Sequence, residues 1–203
     1  LCERDVVFEI ENIEGTNAAD RLTGSGAANV LNGRGGADIM AGLGGEDTYH
    51  VDDAGDSVDE SLPGSGGLDT VLASVSVDLS DTALFKGAIE RVSLLSGTGA
   101  LDIVGNAIAN ALTGNESANL LDGRGGADLM VGLGGDDSYG VDDAGDVVDE
   151  SAAGSDGTDT ILASISVDLQ DGARFKGDIE RVILAPGLAG LNALGSGIAN
   201  TLI

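Results

Sequence analysis

"GRGGADIMAGLGGEDTYHVDDAGDSVDE" occupies residues 33–60, and "GRGGADLMVGLGGDDSYGVDDAGDVVDE" occupies residues 123–150. The two stretches stand at the same place in a longer repeat. Residues 15–104 align with 105–194 without gaps, with identity at about 60% of positions, far beyond chance for a long-period repeat. "GSGIANTLI" from Gly195 echoes "GNAIANALT" from Gly105, and "FEIENI" near the start resembles the "IERV" at Ile89 and Ile179. The expected organisation is therefore 1–14 as the end of a preceding unit, 15–104 as a first unit, 105–194 as a second, and 195–203 as the start of a third.

Within each unit a period of nine takes over. The first unit reads "GTNAADRLT", "GSGAANVLN", "GRGGADIMA", "GLGGEDTYH" and "VDDAGDSVD"; four residues, "ESLP", then precede "GSGGLDTVL". The sixth position carries Asp20, Asn29, Asp38, Asp47, Asp56 and Asp69, and in the second unit Asn110, Asn119, Asp128, Asp137, Asp146 and Asp159. The eighth carries Leu22, Leu31, Met40, Tyr49, Val58 and Val71, matched by Leu112, Leu121, Met130, Tyr139, Val148 and Ile161. Three residues with an apolar centre make one short strand with one side chain directed inward. Six residues rich in Gly, Asn and Asp make a turn, since glycine tolerates positive φ and Asx side chains bond their own backbone. Strand, turn, strand, turn winds the chain into a coil of two parallel sheets with the eighth-position side chains between them. The fold class is all-β: a parallel β-roll, a right-handed β-solenoid, joined by further short β-strand units.

Two turns bring equivalent loops into register on one edge. Asp20 then stacks beside Asp38, Asn29 beside Asp47, Asp38 beside Asp56 and, past the insertion, Asp47 beside Asp69. In the second unit the pairs are Asn110 with Asp128, Asn119 with Asp137, Asp128 with Asp146 and Asp137 with Asp159. Stacked carboxylates repel unless a cation lies between them. Oxygen-only ligands in pliable loops suit Ca²⁺, which accepts six to eight of them, whereas Mg²⁺ demands a stricter octahedron. Zinc and copper want His or Cys, and the chain has one of each, His50 and Cys2. The asparagines at the sixth position bring no charge, so their sites are weaker calcium sites or plain turns. Glu60 and Glu150 follow the last tight repeat and read either as bidentate ligands or as solvated loop acids.

These residues resemble the RTX family, the calcium-binding repeats of proteins exported by Gram-negative bacteria. "GRGGADIMA", "GLGGEDTYH", "GRGGADLMV" and "GLGGDDSYG" match that nonapeptide best. They depart from it at the second position, where Arg34, Leu43, Arg124 and Leu133 stand in place of glycine. The resemblance covers 15–72 and 105–162. It implies a module that binds several Ca²⁺ ions, folds outside the cell, and leaves by type I secretion; the signal for that route lies at a far C-terminus this chain lacks. It also implies that any catalytic domain lies outside the chain, in a parent that is an extracellular enzyme, a toxin or an adhesin. A structural or adhesive cell-surface array with a polysaccharide or protein partner is the other reading.

The segments 73–104 and 163–194 fit the nonapeptide less well. Alternation at Val75, Val77 and Leu79, then at Val92 and Leu94, predicts connecting strands that continue the solenoid or pack as a small sandwich on its end. Phe85 and Phe175 are expected to plug a gap or cap that region. The chain has 203 residues, a net charge of −26 and no Trp, so nucleic acid and anionic membranes are repelled. No apolar run reaches the length of a membrane span. "HExxH", "GxSxG" and Walker signatures are absent. Among 35 acids a carboxylate pair for glycoside chemistry has the material. Nearly every acid, however, sits at a repeated position, as structural sites do. The counterpart of His50 in the second unit is Gly140, which argues against a catalytic role. Arg34 and Arg124 are expected to pair with neighbouring acids, and Cys2 to be an incidental thiol. The chain opens without Met or a visible signal peptide and reads as a piece of something longer.

Overall fold

A computed structural model describes residues 11–203. Phe8, Cys2 and most of the preceding unit inferred for 1–14 lie outside the described residues. All regular structure is β-strand, and every described strand pair is parallel. The residues gather into two compact units, one running to Leu72 together with Thr82–Ile89, the other comprising Ala73–Asp81 and Glu90–Ile203.

In the first unit the strands alternate between two sheets. Asn12–Glu14 pairs with Val30–Asn32, which pairs with Thr48–Val51. Opposite them, Arg21–Thr23 pairs with Ile39–Ala41, which pairs with Ser57–Glu60, which pairs with Phe85–Gly87. The register sets each eighth-position residue against the one two turns on: Leu31 against Tyr49, Leu22 against Met40, Met40 against Val58. Leu31, Met40, Tyr49 and Val58 are each 0% exposed, while the residue before each points outward or lies half-buried. A three-residue strand directs only its middle side chain inward. The core is therefore one side chain per turn deep, and small aliphatics suffice to fill it.

The second unit repeats this plan. Arg91–Leu94, Ala111–Thr113, Leu129–Val131, Val147–Glu150 and Phe175–Gly177 follow one another in one sheet. Val77–Asp78, Asp102–Val104, Leu120–Asp122, Ser138–Val141, Thr160–Ala163, Arg181–Leu184 and Thr201–Leu202 follow one another in the other.

The connecting segments thus add further parallel rungs rather than a sandwich. Ile103 lies in register with Val77 and Leu121, and Val182 with Ile161 and Leu202. Phe85 is paired with Val58, and Phe175 with Val148. The two phenylalanines are buried rungs of the ladder, at 6% and 4% exposure, so they take the place of an eighth-position residue instead of capping an end. Their strands follow long loops, and a ring there fills more of the space between the sheets than an aliphatic would.

The loops carry the backbone strain. Arg34, Leu43, Arg124 and Leu133, the four departures from glycine, all keep the left-handed conformation, with φ of 61°, 81°, 62° and 75°. Their side chains therefore meet the steric penalty that glycine would avoid. Arg34 meets part of it by donating its N–H to Asn32 Oδ1 at 2.9 Å and its guanidinium to Glu14 at 2.5 Å. Arg124 bonds Asp122 in the same way, N–H to Oδ1 at 3.1 Å, with an ion pair at 3.4 Å.

Candidate metal centre

The sixth-position side chains do not reach into solvent. They turn back along the loop edge and accept hydrogen bonds from the turn two rungs earlier. The Asp20 N–H donates to Asp38 Oδ1, Asn29 N–H to Asp47 Oδ1, and Asp38 N–H to Asp56 Oδ1, at 2.7, 2.7 and 2.9 Å. Asp47 N–H reaches Asp69 Oδ1 at 2.9 Å across the insertion. The second unit copies the series: Asn110 to Asp128, Asn119 to Asp137, Asp128 to Asp146 and Asp137 to Asp159, at 2.7–3.1 Å. It then extends it, since Asp159 N–H donates to Glu180 Oε2 at 2.8 Å. The pairs expected from the nine-residue period are adjacent. Their carboxylates are buried, with Asp38 and Asp47 at 0% and 1% exposure and Asp128 and Asp137 at 1%.

The second carboxylate oxygen divides these residues into two kinds. In one, the N–H four residues earlier bonds it, or in the asparagines the single amide oxygen Oδ1: Thr16 on Asp20, Ser25 on Asn29, Asp52 on Asp56, Asn106 on Asn110, Asn115 on Asn119 and Asp142 on Asp146, at 2.6–3.0 Å. Asp53 and Asp143 add a second N–H to Asp56 and Asp146. In the other kind, Asp38, Asp47, Asp128 and Asp137, Oδ2 is buried with no hydrogen-bond partner. These are the four loops whose second residue is left-handed, which turns that residue's N–H away from the carboxylate. A buried carboxylate oxygen without a donor costs several kcal/mol unless a cation meets it, on the order of the penalties for unpaired buried charge. The loops also leave no room beside it: a Cβ on Gly33, Gly42, Gly123 or Gly132 would overlap the carboxylate of the same loop.

One further carboxylate enters at the insertion. Ser57–Glu60 extends one residue beyond the usual strand, so Glu60 falls on the inward side with Val58 and is 6% exposed. It sits where regular loops need glycine, and the added residues move the next aspartate out to Asp69. The Tyr49 hydroxyl accepts the Gly42 N–H at 2.7 Å and donates to Glu60 Oε1, leaving Glu60 Oε2 buried without a partner. Tyr139 and Glu150 repeat the contact. One oxygen each from Asp47, Glu60 and Asp69 lie within 4.8 Å of one another, and so do those of Asp137, Glu150 and Asp159. Burial, then the charges of Asp69 and Asp47, pushes Glu60 up to about 7; burial with Asp159 and Asp137 pushes Glu150 up to about 8. Burial raises Asp137 to about 7 and Asp128 to about 6, and raises Asp38 and Asp47 as well. Crowded buried carboxylates of this kind either hold protons or hold a metal. Hard oxygen donors in flexible loops suit Ca²⁺.

The four-copy family model of the RTX calcium-binding nonapeptide repeat matches residues 14–49 and 104–139. Those stretches are RTX repeats. No curated protein matches the chain. The RTX match spans the loops of Asp20, Asn29, Asp38 and Asp47 and their second-unit counterparts. It stops short of Asp56, Glu60 and Asp69, and of Asp146, Glu150 and Asp159. The match assigns calcium-binding repeats and no catalytic family, and the acidic clusters fit that cation. Among the described residues no helix is long and apolar enough to cross a membrane.

Of the two readings of Glu60 and Glu150, the solvated one fails, because both are buried against tyrosine. The signal for this was in the sequence: Glu60 is two residues past the inward Val58, and the one aromatic at the eighth position, Tyr49, precedes it in the same run. Glu180 carried no such signal, since its place beside Asp159 comes from the register of the connecting strand. His50 lies half-buried outside both clusters.

Proposed function

We propose that this chain is a calcium-dependent folding module of a secreted protein, with no catalytic role of its own. The observation that carries the reading is the set of orphaned carboxylate oxygens on Asp38, Asp47, Asp128 and Asp137, opened by left-handed loop residues. Ca²⁺ would lie on the loop edge between the pairs Asp20–Asp38, Asn29–Asp47, Asp38–Asp56 and Asp47–Asp69, and between Asn110–Asp128, Asn119–Asp137, Asp128–Asp146 and Asp137–Asp159. Asp56 and Asp146 already accept backbone N–H groups at both oxygens, so they are the weaker partners.

Without the cation, a chain at −26 repels itself across a core one side chain deep. The sites do not exist in the unfolded chain, so binding free energy is folding free energy. Extracellular calcium modules work near 10⁻⁴–10⁻³ M, a range that supports folding after export rather than before it. The same charge argues against nucleic acid as a partner.

A far-UV circular dichroism titration tests this. The chain is expected to lack β signal in EDTA and to gain it cooperatively with Ca²⁺, with Mg²⁺ a poor substitute. Replacing Asp38 and Asp128 together with Ala is expected to move the midpoint to higher calcium. A full β signal and an unchanged melting temperature in EDTA would reject the reading.

A further inference from the structure

Each unit contains a carboxylate cluster that the nonapeptide pattern does not describe. Asp47 and Asp137 belong to the repeats, but Glu60, Asp69, Glu150 and Asp159 lie beyond the matched residues. We propose that Asp47–Glu60–Asp69 and Asp137–Glu150–Asp159 are a second class of calcium site, one per unit, that fills before the aspartate loops and is reported by Tyr49 and Tyr139. This rests on the reading of the chain as a calcium module and extends it to the order of filling.

Charge is the first argument. A regular loop edge offers one or two carboxylates from stacked turns, and some edges offer an Asn in place of an Asp. Each cluster offers three, all nine-tenths or more buried. Calcium affinity in oxygen sites rises with the number of charged ligands and with rigidity.

The orphaned atoms are the second. Asp47 Oδ2 and Glu60 Oε2 lack hydrogen-bond partners inside one cluster, and Asp137 Oδ2 and Glu150 Oε2 inside the other. Their neighbouring oxygens are held by donors, Asn29 N–H on Asp47 and the Tyr49 hydroxyl on Glu60. One oxygen of each group is thus fixed by the protein, and the other is left to meet an ion.

Preorganisation and access supply the third. Gly42 N–H, Tyr49 hydroxyl and Glu60 form a continuous chain of bonds that fixes the glutamate as soon as these turns form, so it needs no further ordering to meet an ion. In the second unit a cavity of about 300 Å³ lined by Glu150, Asp156, Asp159, Asp178 and Glu180 opens onto the cluster. Five of its eight lining residues are acidic, the others being Ser155, Gly157 and Gly177, and they favour entry of a cation.

The tyrosines make the site visible. The chain has two tyrosines and no Trp, and both hydroxyls bond the cluster glutamates. Terbium replaces calcium at oxygen sites and emits when a nearby tyrosine is excited. Tb³⁺ added to the calcium-stripped 203-residue chain is expected to give tyrosine-sensitised emission within about two equivalents, one per cluster, and added Ca²⁺ to quench it. Tyr49→Phe and Tyr139→Phe should each remove about half of it. Glu60→Gln with Glu150→Gln keeps shape and removes charge; it should weaken the emitting class by about tenfold or more, a loss typical of damaged metal sites. The later-filling calcium seen by calorimetry should remain. Emission that rises only after other sites fill, or that the Gln pair leaves unchanged, overturns the inference. Should the Gln pair fail to fold in saturating calcium, the order of filling in the wild-type chain and the Phe variants still decide it. Calcium uptake with silent tyrosines would sink this inference alone; no calcium uptake at all would sink the folding-module reading beneath it.

Discussion

The repeat runs 15–72 and 105–162 share their loop chemistry and hide its aspartates alike, 0–1% exposed from Asp38 to Asp69 and 1–3% from Asp128 to Asp159, but they differ at the residue that opens them. The first opens on Asp20, half-buried, whose carboxylate is held by Thr16. The second opens on Asn110, 3% exposed, and its next loops lie under the chain that leads into them. Asn119 donates to the Leu101 carbonyl at 2.7 Å, Asn115 to the Gly99 carbonyl at 3.0 Å, and Glu116 accepts the Gly97 N–H. In that run burial lifts Asp128 to about 6, Asp137 to about 7 and Glu150 to about 8, while in the first run only Glu60 is driven as far as about 7. The lesson is that carboxylates equally hidden from solvent differ in how strongly their surroundings disfavour charge, so the second run depends more on a counter-charge.

The largest test of this difference is pH in EDTA. Asp128, Asp137, Asp159 and Glu150 have folded values of about 6, 7, 6 and 8, above the ordinary carboxylate range near 4. Groups raised in this way stabilise the fold fully below their unfolded values, and that contribution is lost as pH rises through the folded ones. Metal-free protein is therefore expected to gain β structure between pH 7.5 and 5. The second run should do so at higher pH than the first, as read from Tyr139 in a Tyr49→Phe chain and from Tyr49 in a Tyr139→Phe chain. In saturating calcium the trend reverses, because protons then compete with the ion. Identical EDTA spectra at both pH values would break the comparison.

Next in size is crowding at the carboxylate. Gly132→Ala sets a methyl into the Asp137 carboxylate and the Tyr139 hydroxyl, and Gly42→Ala does the same at Asp47 and Tyr49. Each is expected to lose about 1–3 kcal/mol, typical of overpacking. Gly172→Ala, which meets open space, should stay within about 0.5 kcal/mol of wild type. Equal losses at Gly132 and Gly172 in calcium-saturated denaturation would show that the loops yield freely.

Asn110→Asp exchanges the opening residue of the second run for that of the first. It adds a charge beside Asp128, whose Oδ1 already accepts the Asn110 N–H. Calcium titration should show a midpoint lowered a few-fold, and EDTA samples should be less structured than wild type. An unmoved midpoint would mean that this edge takes no ion.

The smallest effect is expected at the strained second position. Leu133→Gly removes a left-handed leucine, φ 75°, a relief of about 1–2 kcal/mol. The added freedom of the unfolded chain returns ~0.4–1 kcal/mol of it. The melting temperature should rise slightly. Arg34→Gly should gain less, because it also gives up the ion pair to Glu14.

Much of the fold could be read from residue order, for a local reason. A three-residue strand and a six-residue turn complete one rung within nine residues, so the eighth-position ladder from Leu22 to Val71 follows from periodicity alone. The sixth-position pairs follow from the same arithmetic, as the Asp20–Asp38 and Asp47–Asp69 contacts bear out. The connecting segments were harder, because their loops vary in length and periodicity loses its phase. That is why Phe85 and Phe175 read as filling a gap or capping an end, with nothing to show that they do the filling as rungs of the ladder.

By itself the sequence determined the repeat, the parallel coil, the acidic loop edge and the kind of cation that edge suits, because each depends on residues within one or two turns of each other. Tertiary structure alone decided which carboxylate oxygens are left open. Asp38 and Asp56 hold the same place in the repeat, yet one has a bare Oδ2 and the other two N–H donors on it. The difference is the handedness of one backbone residue four positions earlier. Tertiary structure also brought Tyr49, Glu60 and Asp69 to one point, because the insertion shifts the register of everything after it, and only the folded coil shows where that shift ends.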